Sequence, residues 1–324
     1  MSGAALPAAD TGVAGATASG AALSAAGATP RRPRRRGRNN WRGYLYILPA
    51  VVFSITFLIV PTLQTAWYSL FDWNGLSVAT WIGFDNYLDI VQDAGLRNSF
   101  AHAGVLVVFY SFLPITVALL LTMVISRAHA LRGMSFFRTV LFLPQVIASV
   151  VVATTWLSIY SPNGLLNTVL RLVGLDSITR VWLGDTGSAL IAVGFIGTWL
   201  NIGLCLVLFL SGVGNVQPEL FEAARLDGAN GIQEFFGITL PALRGQITVA
   251  LTLTVVSALK TFDLVYVTTR GGPGDSTSVP AFEAYSRAFI SGQVGSAASV
   301  AVVLTIAILL VTALISRMQP KDTE

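Results

Sequence analysis

Charge is scarce in this 324-residue sequence: Asp, Glu, Lys and Arg make up 11% of it, against roughly 25% in a soluble globular domain. With 54% of residues hydrophobic, too little polar surface remains to cover an ordinary soluble fold. One cysteine, Cys205, excludes a disulfide framework. The two histidines, His102 and His129, stand apart with no H-E-x-x-H or paired His/carboxylate spacing, so no metal site is expected. Lysine occurs only at Lys260 and Lys321. A phosphate-binding loop needs Gly-x-x-x-x-Gly-Lys-Ser/Thr, yet Thr254 and Leu259 occupy the glycine positions ahead of Lys260, and Lys321 follows Pro320 in the tail. The chain is therefore not expected to be an enzyme or to hydrolyse ATP.

What the sequence has instead is long uncharged runs. A helix needs about 20 residues to cross roughly 30 Å of hydrocarbon. Six runs meet that length, at about 44–71, 101–126, 136–160, 188–212, 246–269 and 294–316; beyond Arg138 at the edge of the third, only the fifth holds charges, Lys260 and Asp263. The reading is an all-α membrane protein of six transmembrane helices. Internal prolines such as Pro49, Pro61, Pro114 and Pro144 are tolerated where neighbouring helices satisfy the freed backbone groups. Residues 1–40 form an Ala/Gly-rich and then Arg-rich tail, expected to be disordered, and 318–324 a short second tail. The arginines follow the alanine-rich stretch instead of preceding it, so the start of the chain does not read as a secretory signal.

Lys and Arg set the orientation. Fourteen fall on the side of both tails, including Arg31, Arg32, Arg34, Arg35, Arg36, Arg38 and Arg42, against five on the other (Arg97, Arg171, Arg180, Arg270 and Arg287). Both termini are expected in the cytoplasm, and the arginine run reads as a topology anchor on the bilayer, with no nucleic acid as partner.

Between spans four and five runs a cytoplasmic loop, 213–243, containing PELFEAARLDGANGIQEFFGITLPAL. Pro218 suits a first helical turn and Glu219 and Glu222 its positive end, so one helix is expected over Pro218–Leu226. Asp227 and Gly228 read as a turn. A second helix from about Ile232 to Thr239 should stop before Pro241, showing Phe235, Phe236 and Ile238 on its outer surface. Such an apolar knob either folds back on the bundle or receives a partner.

The pattern Glu222-Ala223-Ala224-x-x-Asp227-Gly228-Ala229, then Phe235, Ile238, Leu240 and Pro241, resembles the "EAA" loop of permease subunits from binding-protein-dependent, ATP-driven (ABC) importers. Phe262-Asp263, Tyr266, Thr268, Gly271-Gly272-Pro273 and Thr277 resemble the maltose-type, sugar-importing branch, as do Trp81–Tyr87 and Phe137–Pro144; Arg270 departs from the smaller residue usual there. The resemblance covers 41–317 and implies a MetI-like permease fold whose coupling helix docks on a cytosolic ATPase. The residues it assigns to coupling are Glu222, Ala223, Ala224, Asp227, Gly228, Ala229, Phe235, Phe236, Ile238 and Pro241. It further implies a second, different permease subunit, two ATPase copies that use ATP and Mg, an extracytoplasmic sugar-binding protein, and the plasma membrane of a prokaryote. No cofactor is expected on this chain.

Intramembrane polar and aromatic residues are candidates for a solute pathway. Gln145, Trp156, Trp199, Asn201 and Asp263 are the positions chosen, the amides because they offer a hydroxyl both donors and acceptors. Each also has a plain structural role available, as helix glue or packing. Lys260 and Asp263, three apart, read as a charge-neutralising pair on one helix. Two other readings remain open: the same fold importing a polyol phosphate, and a gradient-driven secondary transporter. The latter calls for several intramembrane carboxylates or inverted repeats, and only Asp263 is present.

Overall fold

A computed structural model describes residues 41–127 and 134–317; both tails, His129 and Arg132 lie outside the described residues. The chain divides into two units, 1–54 and 55–324. Of the first, the described part is the helix α1 (Trp41–Ser54), which carries Pro49 internally.

The second unit opens with a π-type turn, Ile55–Ile59, and α2 (Val60–Tyr68). A two-residue strand pair follows, β1 (Phe71–Asp72) against β2 (Thr80–Trp81), then the short helix α3 (Asp85–Gln92). Asp93 caps the next helix by accepting the amides of Gly95 and Leu96, as a carboxylate does at a helix N-terminus. That helix runs through α4 (Ala94–Val107), a π-type turn at Val108–Phe112 and α5 (Leu113–Arg127). Span two thus starts earlier than its hydropathy suggests, because the cap and not the apolar run fixes its beginning.

The third run is not one helix. α6 (Met134–Val146) and α7 (Ser149–Ile159) meet at a 104° bend. Pro144 sits three residues before the bend, and the amide of Ile147 turns back to its carbonyl at 3.3 Å. An amphipathic helix, α8 (Leu165–Leu172), follows. Span four is the long α9 (Ala189–Val213).

The loop contains α10 (Pro218–Leu226), α11 (Gly231–Glu234), a π-type turn at Phe235–Thr239 and α12 (Leu240–Ala242). Helix therefore continues past Pro241, where a stop was expected: the wide turn just before it is one of the devices that absorb a missing amide. It then bends by 68° into α13 (Arg244–Leu259). The fifth run breaks at Lys260–Phe262 before α14 (Asp263–Thr268). The chain ends with α15 (Pro280–Tyr285), a π-type turn at Ser286–Ile290 and α16 (Val294–Arg317). Among the described residues, four helical segments are long and apolar enough to cross a membrane, and six when each bent pair counts as one.

α9 is the centre of the unit. Gly203 lets α6 approach so closely that a Cβ there would stand 2.1 Å from the Leu141 carbonyl oxygen, the role small residues play between membrane helices. Toward one end of α9, Val193 and Ile196 pack with Leu106, Val152, Val265 and Phe282. Toward the other, Leu206 and Phe209 pack with Ile115, Leu243 and Ala250.

Candidate functional site

The two helix breaks face each other. Ser149, the first residue of α7, donates its hydroxyl to Asp263 Oδ2, the first residue of α14, at 2.6 Å. Broken helices place polar backbone at membrane depth, and such backbone is tolerated where it lines a cavity. A cavity of about 490 Å³ is found there, its polar wall made by Tyr110, Gln145, Ser149, Asn201, Lys260, Thr261 and Asp263. Its apolar lining includes Leu200, Leu253 and Phe262. This polar and aromatic wall offers hydrogen bonds to hydroxyls and ring faces to their C–H surfaces.

Gln145, Asn201 and Asp263 are thus brought together. Trp156 and Trp199 are not among the lining residues: they meet each other edge-on, centroids 5.7 Å apart, and Trp156 also packs on Tyr160. Trp156 is half-buried by these contacts, while Trp199 stays 40% exposed on the outside of the cavity. Nor do Lys260 and Asp263 form an ion pair, since the helix breaks between them and destroys the i,i+3 geometry; among the described residues Lys260 is paired with no acid. Tyr110 adds a buried hydroxyl beside that of Thr261, its ring lying where a Cβ on Gly197 would be. Sequence alone gave Tyr110 no more weight than other aromatics in a span.

At the far end of α9 and α13 the 213–243 loop is built from local rules. α10 ends in a Schellman motif: Gly228 N–H donates to the Arg225 carbonyl and Ala229 N–H to that of Ala224, with Gly228 at φ +82°. The expected turn at Asp227-Gly228 is therefore glycine's work, and no side-chain bond from Asp227 contributes. Two residues on, Asn230 caps α11 and exchanges bonds with Gln233 in a capping box. That Asn-x-x-Gln signal stood in the sequence and was not used.

α10 and α11 are braced by Arg225 Nε to Glu234 Oε1 at 3.0 Å, with Glu234 buried. No spacing rule announces this bond, which ties the two helices of the loop together. Phe235 and Phe236 do not share an outer surface: Phe235 is 6% exposed and Phe236 61%, with their rings edge-to-face at 5.3 Å. Adjacent helical positions point about 100° apart, so one ring points in and one out. Phe235, Glu222, Arg225 and Glu234 line a second cavity of about 320 Å³, closed by Val213, Val216 and Phe221. Ala223, Asp227 and Pro241 are exposed, and Ala224, Ala229 and Ile238 are half-buried.

His102 is held by its Nδ1 contact with the Ser278 carbonyl at 2.9 Å. Among the described residues no cluster of His, Cys, Asp or Glu has metal-binding proximity.

Comparison with known proteins agrees with this geometry. The permease protein YurN of Bacillus subtilis (strain 168), a probable ABC transporter component, is 37% identical over 284 residues, covering 86% of this chain and 94% of its own length. The diacetylchitobiose uptake system permease protein NgcF of Streptomyces coelicolor is 34% identical over 301 residues, covering 88% and 84%. Among solved structures, a chain of a bacterial ABC transporter involved in import of the acidic polysaccharide alginate superposes with a TM-score of 0.75 at 21% identity, over 88% of this chain and 97% of that one. The fold is therefore that of an ABC importer permease. The family described as binding-protein-dependent transport system inner membrane component matches residues 104–321, and this chain belongs to that family.

Proposed function

We propose that this chain forms half of the membrane pathway of an ATP-driven carbohydrate importer. The observation that carries the reading is the placement of both ends of α13. Its N-terminal end continues from the capped, braced 213–243 loop, and its C-terminal end opens into the cavity between the helix breaks. A 16-residue helix is a rod of about 24 Å, stiff enough to pass a displacement from loop to cavity. Sugar relatives support the solute class: NgcF is named for diacetylchitobiose uptake. The polar cavity wall, with amides at Gln145 and Asn201, fits a neutral oligosaccharide.

In this reading the chain contributes no catalysis and binds no cofactor. Two copies of a cytosolic ATPase, using ATP and Mg, engage the loop through exposed Phe236, Glu222 and Ala223, with Gly228 holding the turn. A second permease, taken as a different chain, supplies the other wall of the pathway, and an extracytoplasmic binding protein delivers the sugar. Both termini face the cytoplasm.

The test is ATP hydrolysis and uptake by the reconstituted importer, with binding protein loaded from a panel of oligosaccharides, comparing the native loop with Gly228→Pro and Glu222→Lys. Hydrolysis stimulated by one sugar and lost in both loop variants is the expected result. Uptake that persists with the loop broken sinks the reading.

A further inference from the structure

The strand pair β1/β2 carries a loop that is unusual for a segment outside the spans. From Trp73 to Trp81 the residues are Asn-Gly-Leu-Ser-Val-Ala-Thr between the two tryptophans, with no titratable side chain. Leu76 and Val78 are 95% and 93% exposed. They are held outward, not loosely: Asn74 Oδ1 accepts from the amides of Leu76 and Ser77 and from the Ser77 hydroxyl, while the Trp73 indole N–H donates to the Ser77 carbonyl at 2.8 Å.

The depth of this loop is fixed by α16. The Gly295 amide donates to the Trp73 carbonyl at 3.1 Å, and Gly75 faces Val294, the first residue of that helix. At 24 residues, α16 is about 36 Å long and exceeds the roughly 30 Å of hydrocarbon. Its first turn therefore stands at the hydrocarbon boundary, and the loop bonded to that turn stands at the same level. Laterally, the loop continues the outer face of α2. Leu63 and Trp67 are exposed on that face, and the Trp81 ring packs on Trp67 and Phe71 at 5.8 and 5.1 Å. Trp73 in turn packs on Tyr68 at 4.7 Å. Amphipathic rings gathered at the end of spans are the signature of the headgroup layer.

We infer that the Trp73–Trp81 hairpin is an interfacial anchor whose occupant is the lipid of the leaflet at this end of the bundle. The tryptophans lie among the headgroups, and Leu76 and Val78 reach the upper acyl chains. The loop has no cation to favour anionic lipid, and Asp72, Asp85 and Asp89 stand nearby in the sequence, so zwitterionic phospholipid suffices and apolar burial supplies the attraction.

The full chain carrying Cys205→Ala and either Leu76→Cys or Val78→Cys, labelled with the fluorophore NBD, tests this in phosphatidylcholine nanodiscs. Free NBD-labelled cysteine in the same buffer is the aqueous control. The expected result is blue-shifted emission at 76 and 78, quenched by chain-brominated phosphatidylcholine and shielded from iodide. Iodide quenching equal to the control with no bromolipid quenching overturns the inference. Shielding from iodide without bromolipid quenching assigns the loop to a protein neighbour and overturns it too. None of these readouts depends on transport, so they stand apart from the importer test.

Discussion

Gly228 shows how much a single position can determine. Its φ of +82° is left-handed, and a Cβ added there meets nothing within 4 Å. Gly228→Ala therefore costs only the conformational penalty, about 1–2 kcal/mol, and should speed hydrogen exchange at the Ala229 amide without lowering the amount of folded protein. Gly203 is the opposite case, since its backbone is helical and its difficulty is space. Gly203→Ala puts a methyl against the Leu141 carbonyl oxygen and should lower stability by about 1–3 kcal/mol, the usual cost of overpacking, read as a reduced thermal midpoint in nanodiscs. The turn at Gly228 was legible in the sequence because Asp-Gly after a helical stretch has a local cause. The approach at Gly203 was not, because nothing near it in sequence names α6 as its neighbour. Phe235 and Phe236 fall between these cases: the pair was visible, but which of two adjacent helical positions faced inward was decided by how the loop packs, not by the pair itself.

Elements were legible in proportion to how local their causes are. Spans four and six have ends that match their hydropathy to within about a residue, because uncharged runs with polar flanks have one helical solution. Runs three and five passed the same test and proved broken, since hydropathy records composition and not direction. The short strands and α8 were invisible for lack of length. At the end of the bundle that holds the start of α4, Arg287 ties several elements together. It donates to Asp93 Oδ2 at 2.6 Å and to Ser296 Oγ at 2.9 Å, and lies 3.9 Å from Glu283. Partial burial alone would raise the Asp93 carboxyl, but the Arg287 hydrogen bond, the Gly95 and Leu96 amides and the Arg287 charge outweigh it and hold the group below its ordinary value of 3.8. A carboxyl depressed by folding stabilises fully above its unfolded value and loses that contribution as pH falls through the folded one. The thermal midpoint should therefore stay flat with respect to this group down to about pH 5 and drop below about pH 4. In Asp93→Asn, which keeps a capping oxygen but loses the charge, the midpoint should be lower at neutral pH and the acid step from this group should vanish.

At the scale of the whole molecule, two helices connect the two candidate sites. α9 carries Asn201 at the cavity and Val213 at the loop, and α13 runs from the bend after α12 to the break at Lys260. Helices this long transmit displacement only if the loop moves as one body, and the bond between Arg225 and buried Glu234 is what joins α10 to α11. Weakening that brace should leave the proposed docking surface of α10 in place and the cavity intact, yet disconnect them. Glu234→Gln keeps the size of the side chain and removes its charge; Arg225→Met keeps much of the length and removes the donor. Each variant, reconstituted with the partner subunits, should retain ATP hydrolysis while uptake falls, so that more ATP is spent per sugar moved. The double variant should be no worse than the poorer single one, because both remove the same bond. If hydrolysis and uptake instead fall in parallel, the pair serves only to fold the loop.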